Sequence, residues 1–210
     1  MRRQARLAVL CSGEGTNLQA LLSAIGRGRL RAQVAVVLSD RPEARALMRA
    51  RRAGVPTIVL DPAAFPSRGA YDAALGRAIR AARADWVILA GFMRILSPAF
   101  VRCFPRRILN VHPALLPAFR GAHAVRDALA HGAKVTGVTI HLVDTEVDHG
   151  PILAQVPVPI RPADTVATLL ARLHRVEHTL YPDVIDRVVT GRLRLQGRRV
   201  TVRPTKSGDR

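Results

Sequence analysis

At 210 residues the chain has room for one domain with a sizeable core, and 49% hydrophobic against 23% charged residues is the balance of a soluble globular protein. The two cysteines, Cys11 and Cys103, lie in apolar contexts and argue against a disulfide framework, and no apolar run is long enough to span a bilayer. The formal net charge of +18 admits nucleic acid or an anionic surface, yet 4% aromatic residues offer little for stacking bases, and the arginines are scattered over separate faces.

The start, Met1 to Cys11, has an apolar run too short for a signal peptide and passes straight into Ser12-Gly-Glu-Gly15. Short apolar runs then alternate with helical periods, the pattern of a parallel sheet covered by helices. Strands are predicted over Arg6 to Cys11, Val34 to Leu38, Thr57 to Leu60, Trp86 to Ala90 and Arg107 to Val111. Between them Leu75, Ala78, Ile79 and Ala82 mark the apolar stripe of an amphipathic helix, and Arg45, Arg49, Arg51 and Arg52 share another helix. This first half reads as Rossmann-like.

Beyond Gly121 a helix around Ala124 to His131 precedes two longer strands, Lys134 to Val143 and Ile152 to Pro159, which are expected to pair antiparallel. Asp164-Thr165 caps a helix whose buried stripe is Val166, Leu169, Leu170 and Leu173, with a break expected at Pro182 before Val184, Ile185, Val188 and Val189. Leu193, Leu195, Val200 and Val202 around Gln196-Gly197 suggest a closing hairpin, followed by a basic tail.

Three stretches carry chemistry. In the strand ending at Asn110-Val-His112, the asparagine and histidine are two apart and point the same way, and Pro113 ends the ladder. The strand Val138-Thr-Ile-His-Leu-Val143 exits through a turn carrying Asp144, Glu146 and Asp148, which leaves Asp148 free to approach His112. An acyl transfer passes through a tetrahedral oxyanion that an amide and an imidazolium stabilise, while a carboxylate favours the protonated imidazole and takes a proton from an attacking amine. Taken singly these residues are as readily a cap, a structural histidine and a turn; their ordered combination points to direct acyl transfer.

The third stretch, Ser12-Gly13-Glu14-Gly15-Thr16-Asn17, lies between a strand and an apolar helix, where free amides and the helix dipole favour a phosphate. It lacks the third glycine of a dinucleotide fingerprint and the lysine of a P-loop. Met93-Arg94-Ile95-Leu96 falls at the carboxyl edge of the sheet, where open α/β proteins bind ligands, although its apolar members also suit a core.

Together Asn110-Val-His-Pro-Ala-Leu-Leu-Pro-Ala-Phe-Arg-Gly121, Gly137 to Pro151, Ser12 to Gln19, Ala90 to Pro98 and Glu177-His178 resemble the folate-dependent phosphoribosylglycinamide formyltransferases over nearly the whole chain. The resemblance implies an α/β, Rossmann-like formyltransferase fold with a mainly parallel central sheet and a C-terminal antiparallel portion. Residues 1–203 would form one domain, with a phosphate-binding half at 1–110, a folate and catalytic half at 111–203, and a flexible basic tail at 204–210. It implies Asn110, His112 and Asp148 as the catalytic trio, with Asp148 raising the pKa of His112, and a cis Leu116–Pro117 peptide. Gly15, Thr16, Asn17 and Glu177 would hold glycinamide ribonucleotide, Thr16 standing where the family often has serine. Arg68, Met93, Arg94, Ile95, Leu96, Asn110, Asp144, Thr145, Glu146, Val147 and Asp148 would hold 10-formyltetrahydrofolate. Arg120-Gly121-Ala122 departs from the family's usual Pro-Gly-Leu.

His123, His141 and His178 read as structural, and without tight ligand spacing such as H-E-x-x-H no metal is expected. The implied activity is formyl transfer in purine biosynthesis, in the cytoplasm, by a monomer or homodimer that binds small molecules and neither nucleic acid nor membrane. The alternative is a formyltetrahydrofolate hydrolase or another formyltransferase using the same donor; the tRNA-directed enzymes carry a further C-terminal domain and the deformylases an N-terminal regulatory one. A nicotinamide-dependent oxidoreductase would explain Gly13, Gly15 and Asp40, but the missing third glycine counts against it.

Overall fold

A computed structural model of the chain describes residues 3–202; Arg203 and the tail expected at 204–210 lie outside the described residues. The elements run β1 (Ala5–Cys11), α1 (Thr16–Gly26), β2 (Ala32–Ser39), α2 (Arg45–Arg52), β3 (Thr57–Val59), α3 (Arg68–Ala81), β4 (Trp86–Leu89), α4 (Pro98–Cys103) and β5 (Ile108–His112). There follow α5 (Ala124–Ala130), β6 (Val135–Leu142), β7 (Ile152–Pro159), α6 (Val166–Val189), β8 (Leu193–Gln196) and β9 (Arg199–Val202).

One sheet has the order β3-β2-β1-β4-β5-β6-β7, and β8 pairs β9 separately. Pairings from β3 through β5 are parallel; β5–β6 and β6–β7 are antiparallel. The period-2 alternation of β1 shows why helices cover both faces: Leu7, Val9 and Cys11 enter one apolar cluster with α1 and α6, while Ala8 and Leu10 enter another with α3. Chain order reverses between β1 and β4, the crevice in which open α/β sheets bind ligands. There the loops after the two strands are stitched together: Ser12 N donates to Gly91 O (2.9 Å), and Met93 N donates to Ser12 Oγ (2.8 Å).

Predicted strand limits match to within two residues, but the break at Pro182 does not occur. α6 runs unbroken through Pro182 because Leu169, Leu173, Tyr181, Val184 and Ile185 are buried along it. That burial outweighs the ~3 kcal/mol an interior proline costs a helix. Thr165 caps the helix in a reciprocal box with Thr168. Buried Tyr181 directs its hydroxyl between Leu89 O (3.0 Å) and Leu109 O (2.9 Å), tying α6 to β4 and β5 where the site begins. Among the described residues, no helix is long and apolar enough to cross a membrane.

Candidate active site

β5 and β6 supply the centre. Antiparallel register sets Asn110 opposite His141 and His112 opposite Thr139, so all four side chains share one face. Thr139 does not enter the chemistry: its hydroxyl donates to Ala114 O (2.6 Å) and accepts from Leu116 N (3.1 Å), which holds the turn containing the cis Leu116–Pro117 peptide.

The loop after β6 folds back and delivers Asp148. This residue has φ +46°, a left-handed conformation that aspartate tolerates better than most side chains. Gly150 behind it packs so tightly that a Cβ would lie 1.8 Å from Leu142 O, so only glycine lets the loop close there. The Asp148 Oδ2 atom lies 3.3 Å from His112 Nδ1 and accepts from Gly121 N (2.9 Å). Its Oδ1 accepts from Asn110 Nδ2 (3.3 Å) and lies 3.5 Å from His141 Nε2. Asn110 Nδ2 also lies 3.1 Å from His141 Nε2, and His141 Nδ1 lies 2.9 Å from Leu142 O.

Burial alone would raise the Asp148 carboxyl, but the hydrogen bond from His141, the charge of His112 and the Gly121 amide outweigh it and bring it to about 2. The carboxylate is therefore ionised. His112, 4% exposed, has Nδ1 toward Asp148 and Nε2 2.8 Å from Phe119 O, so both ring nitrogens face oxygens and only the imidazolium satisfies both. Burial nevertheless takes its pKa below the ordinary value; Asp148 and Phe119 O push upward without overcoming it. Asp148 thus acts on His112 in the upward direction that the resemblance implies, and desolvation is the larger effect.

This cluster forms the polar end of a cavity of about 250 Å³, whose other walls include Leu89, Phe92 and Val143. Met93, Arg94, Ile95, Leu96, Asn110, Asp144, Thr145, Glu146, Val147 and Asp148 all line it, so nearly the whole predicted folate group is gathered on one cavity. Arg68 does not line it. It stands at the start of α3 and donates to Ile95 O (2.6 Å), bracing that wall from outside, while the Arg94 guanidinium lies 5.2 Å from the Tyr71 ring centre.

The predicted phosphate group forms a neighbouring cluster outside the cavity wall. Gly15 caps α1 at φ +70°, and a Cβ there would come within 2.7 Å of Ala46 Cα. Having no side chain, it leaves the first amides of the helix open to an anion. Asn17 Nδ2 donates to Glu177 Oε2 (2.7 Å). Burial pushes the Glu177 carboxyl up, against the Asn17 amide and the charge of His174. The Ser12 and Gly91 hydrogen bonds join this cluster to the cavity.

His141 is the site residue that sequence reasoning set aside as structural; its signal was the alternation that places it on the same face as Thr139. His149, which directs Nδ1 to Asp144 Oδ2 at 2.8 Å, was also missed. His123 at the start of α5 and His178 on α6 do not line the cavity. Among the described residues, no group of three or more His, Cys, Asp or Glu side chains is placed to hold a metal ion.

The formyl transferase family profile matches residues 5–185. The chain is 48% identical to the phosphoribosylglycinamide formyltransferase of Mycobacterium tuberculosis (strain ATCC 25618 / H37Rv), over 94% of each chain. It is also similar to the crystal structure of glycinamide ribonucleotide transformylase 1 from Symbiobacterium toebii, with 50% identity, a TM-score of 0.94 and coverage of 97% of this chain and 96% of that one. The trifunctional purine biosynthetic protein adenosine-3 of Drosophila melanogaster is 44% identical over 90% of this chain, which spans 14% of that protein's length.

Proposed function

The chain belongs to the formyl transferase family, and on that premise we propose that it transfers the formyl group of 10-formyltetrahydrofolate to the amine of glycinamide ribonucleotide, in cytoplasmic purine biosynthesis. The observation that carries this reading is the convergence of Asn110, His112 and Asp148 at the polar end of a cavity with largely apolar walls. A flat pterin suits those walls, with Met93, Ile95 and Val147 exposed to cover it. The folate supplies the activated formyl carbon.

The protein's part is positional and electrostatic. The amides at the start of α1 hold the ribonucleotide phosphate, and the buried Asn17–Glu177 pair offers hydrogen-bonding groups to the ribose end. Asn110 turns one N–H from its long 3.3 Å bond with Asp148 to the developing oxyanion, and His112 supplies the second stabilising contact. As the amine adds to the formyl carbon, its proton passes toward the ionised Asp148, directly or through water; collapse of the oxyanion then breaks the bond from the formyl carbon to the folate nitrogen, which takes up that proton and leaves as tetrahydrofolate. His141 holds Asn110 and Asp148 in register.

The test is an absorbance assay for folate product, with glycinamide ribonucleotide present or omitted. Turnover only with the ribonucleotide supports the transferase. Equal turnover without it makes the protein a hydrolase and overturns the reading.

A further inference from the structure

The segment that carries Asp148 is held from its outer side by residues with no part in the chemistry described so far. The β8–β9 hairpin closes through Gly197-Arg198, and the Arg198 guanidinium donates to the carbonyl oxygen of His149, the residue after Asp148. The His149 ring in turn directs Nδ1 to Asp144 Oδ2 at 2.8 Å, with Glu146 Oε1 at 3.8 Å. Asp144 belongs both to the folate-side cavity and to a second groove behind it, where it meets Leu195, Gly197 and Arg198. One residue, His149, thus ties the hairpin to the outside of a loop whose inside lines the cavity.

We propose that Arg198 and His149 are positioning residues that clamp the 144–150 loop in its folate-binding conformation, a role that rests on the function proposed above. The loop needs such a device. Asp148 occupies a left-handed backbone conformation, and Gly150 packs so closely on Leu142 O that no side chain fits, so the closed arrangement is strained at one residue and tightly packed at another. The inner contacts of Asp148 hold one end. The outer face has the His149 imidazole and the Arg198 guanidinium, a charged donor on a backbone acceptor.

If the clamp acts by population, folate binds only the closed loop and its apparent affinity falls by the fraction closed, whereas the bound state is restored at saturation. Arg198→Ala is then expected to raise the KM for 10-formyltetrahydrofolate about three- to tenfold, with kcat and the KM for the ribonucleotide near those of the parent. Arg198→Lys, which keeps a cationic donor, should recover part of the change, and His149→Ala should move KM in the same direction. In the free protein, Arg198→Ala should speed hydrogen exchange of the 144–150 amides without speeding that of β1 or β4. Unchanged folate KM and loop exchange would overturn the clamp. So would a fall in kcat with KM unchanged, the mark of a fold that is merely less populated. If the parent binds tetrahydrofolate calorimetrically but does not formylate the ribonucleotide, the proposed function fails and the clamp is judged by dissociation constant and exchange; a parent that binds no folate overturns both.

Discussion

Asp148→Asn separates chemistry from architecture more cleanly than any other substitution in the site. Asparagine tolerates φ +46° as well as aspartate does, and its amide oxygen can still accept from Gly121 N, so the loop keeps its backbone course. What disappears is the negative charge between His112 and His141, together with the second oxygen that accepts from Asn110 Nδ2. The fall of the carboxyl from 3.8 to about 2 corresponds to about 2 kcal/mol of native-state stabilisation, present above the unfolded value. Part of this is retained through Gly121, so Tm should drop by no more than about 8 °C. Turnover should fall at least about 100-fold at pH 7.5 with both substrates saturating, because the proton acceptor is gone. The assay is steady-state folate product formation alongside circular dichroism and a thermal melt on the same preparation. A variant that melts within this range and works within about threefold of the parent would refute the assignment of Asp148 to the amine proton.

Acid should weaken the fold in two stages. His112 has a folded pKa below its ordinary value, so the unfolded chain binds the proton more readily and stability declines as pH drops through about 6.5 and below. The Asp148 contribution is complete above 3.8 and is lost as pH falls toward 2. Thermal melts between pH 7.5 and 5.5 should show a decreasing Tm, with a shallower slope in His112→Gln; a Tm that rises on acidification contradicts this. Glu177→Gln removes a carboxyl that burial already disfavours in its charged form, so folding should be nearly unaffected while the KM for the ribonucleotide rises about tenfold. Equal KM values for parent and variant would take Glu177 out of the ribonucleotide site. Tyr181→Phe should cost about 1–2 kcal/mol in urea titrations, since Leu89 O and Leu109 O lose the hydroxyl between them; no shift in midpoint would mean water takes its place.

The parallel half was legible because its apolar runs are short, continuous and separated by helical periods, the pattern of a parallel sheet covered by helices. The meeting of Asn110, His112 and Asp148 was legible because Asn110 and His112 share a strand and the acidic turn follows the next strand. The remainder depends on information that is not local. The direct facing of His141 and Asn110 follows from the β5–β6 register, and the passage of α6 through Pro182 follows from what that helix buries. The bracing of Ile95 O by Arg68, and the engagement of His112 by Phe119 O, join side chains to backbone carbonyls for which the sequence carries no mark. The downward net shift of His112 likewise depends on how deeply it is buried, whereas spacing alone reveals only its acidic neighbour.

The stitching of Ser12 to Gly91 and Met93 bears on how such a protein can change over evolutionary time. On the proposed function, the ends of β1 and β4 act as a fixed ruler between the turn offered to a phosphate and the apolar cavity, and loops elsewhere around that cavity, such as 144–150 after β6, do not set its length. Substitutions in those loops can alter which molecule is preferred while the gap across which the two ligands must meet stays the same. Selectivity and reach are thereby written into different parts of the chain, and one can drift without the other.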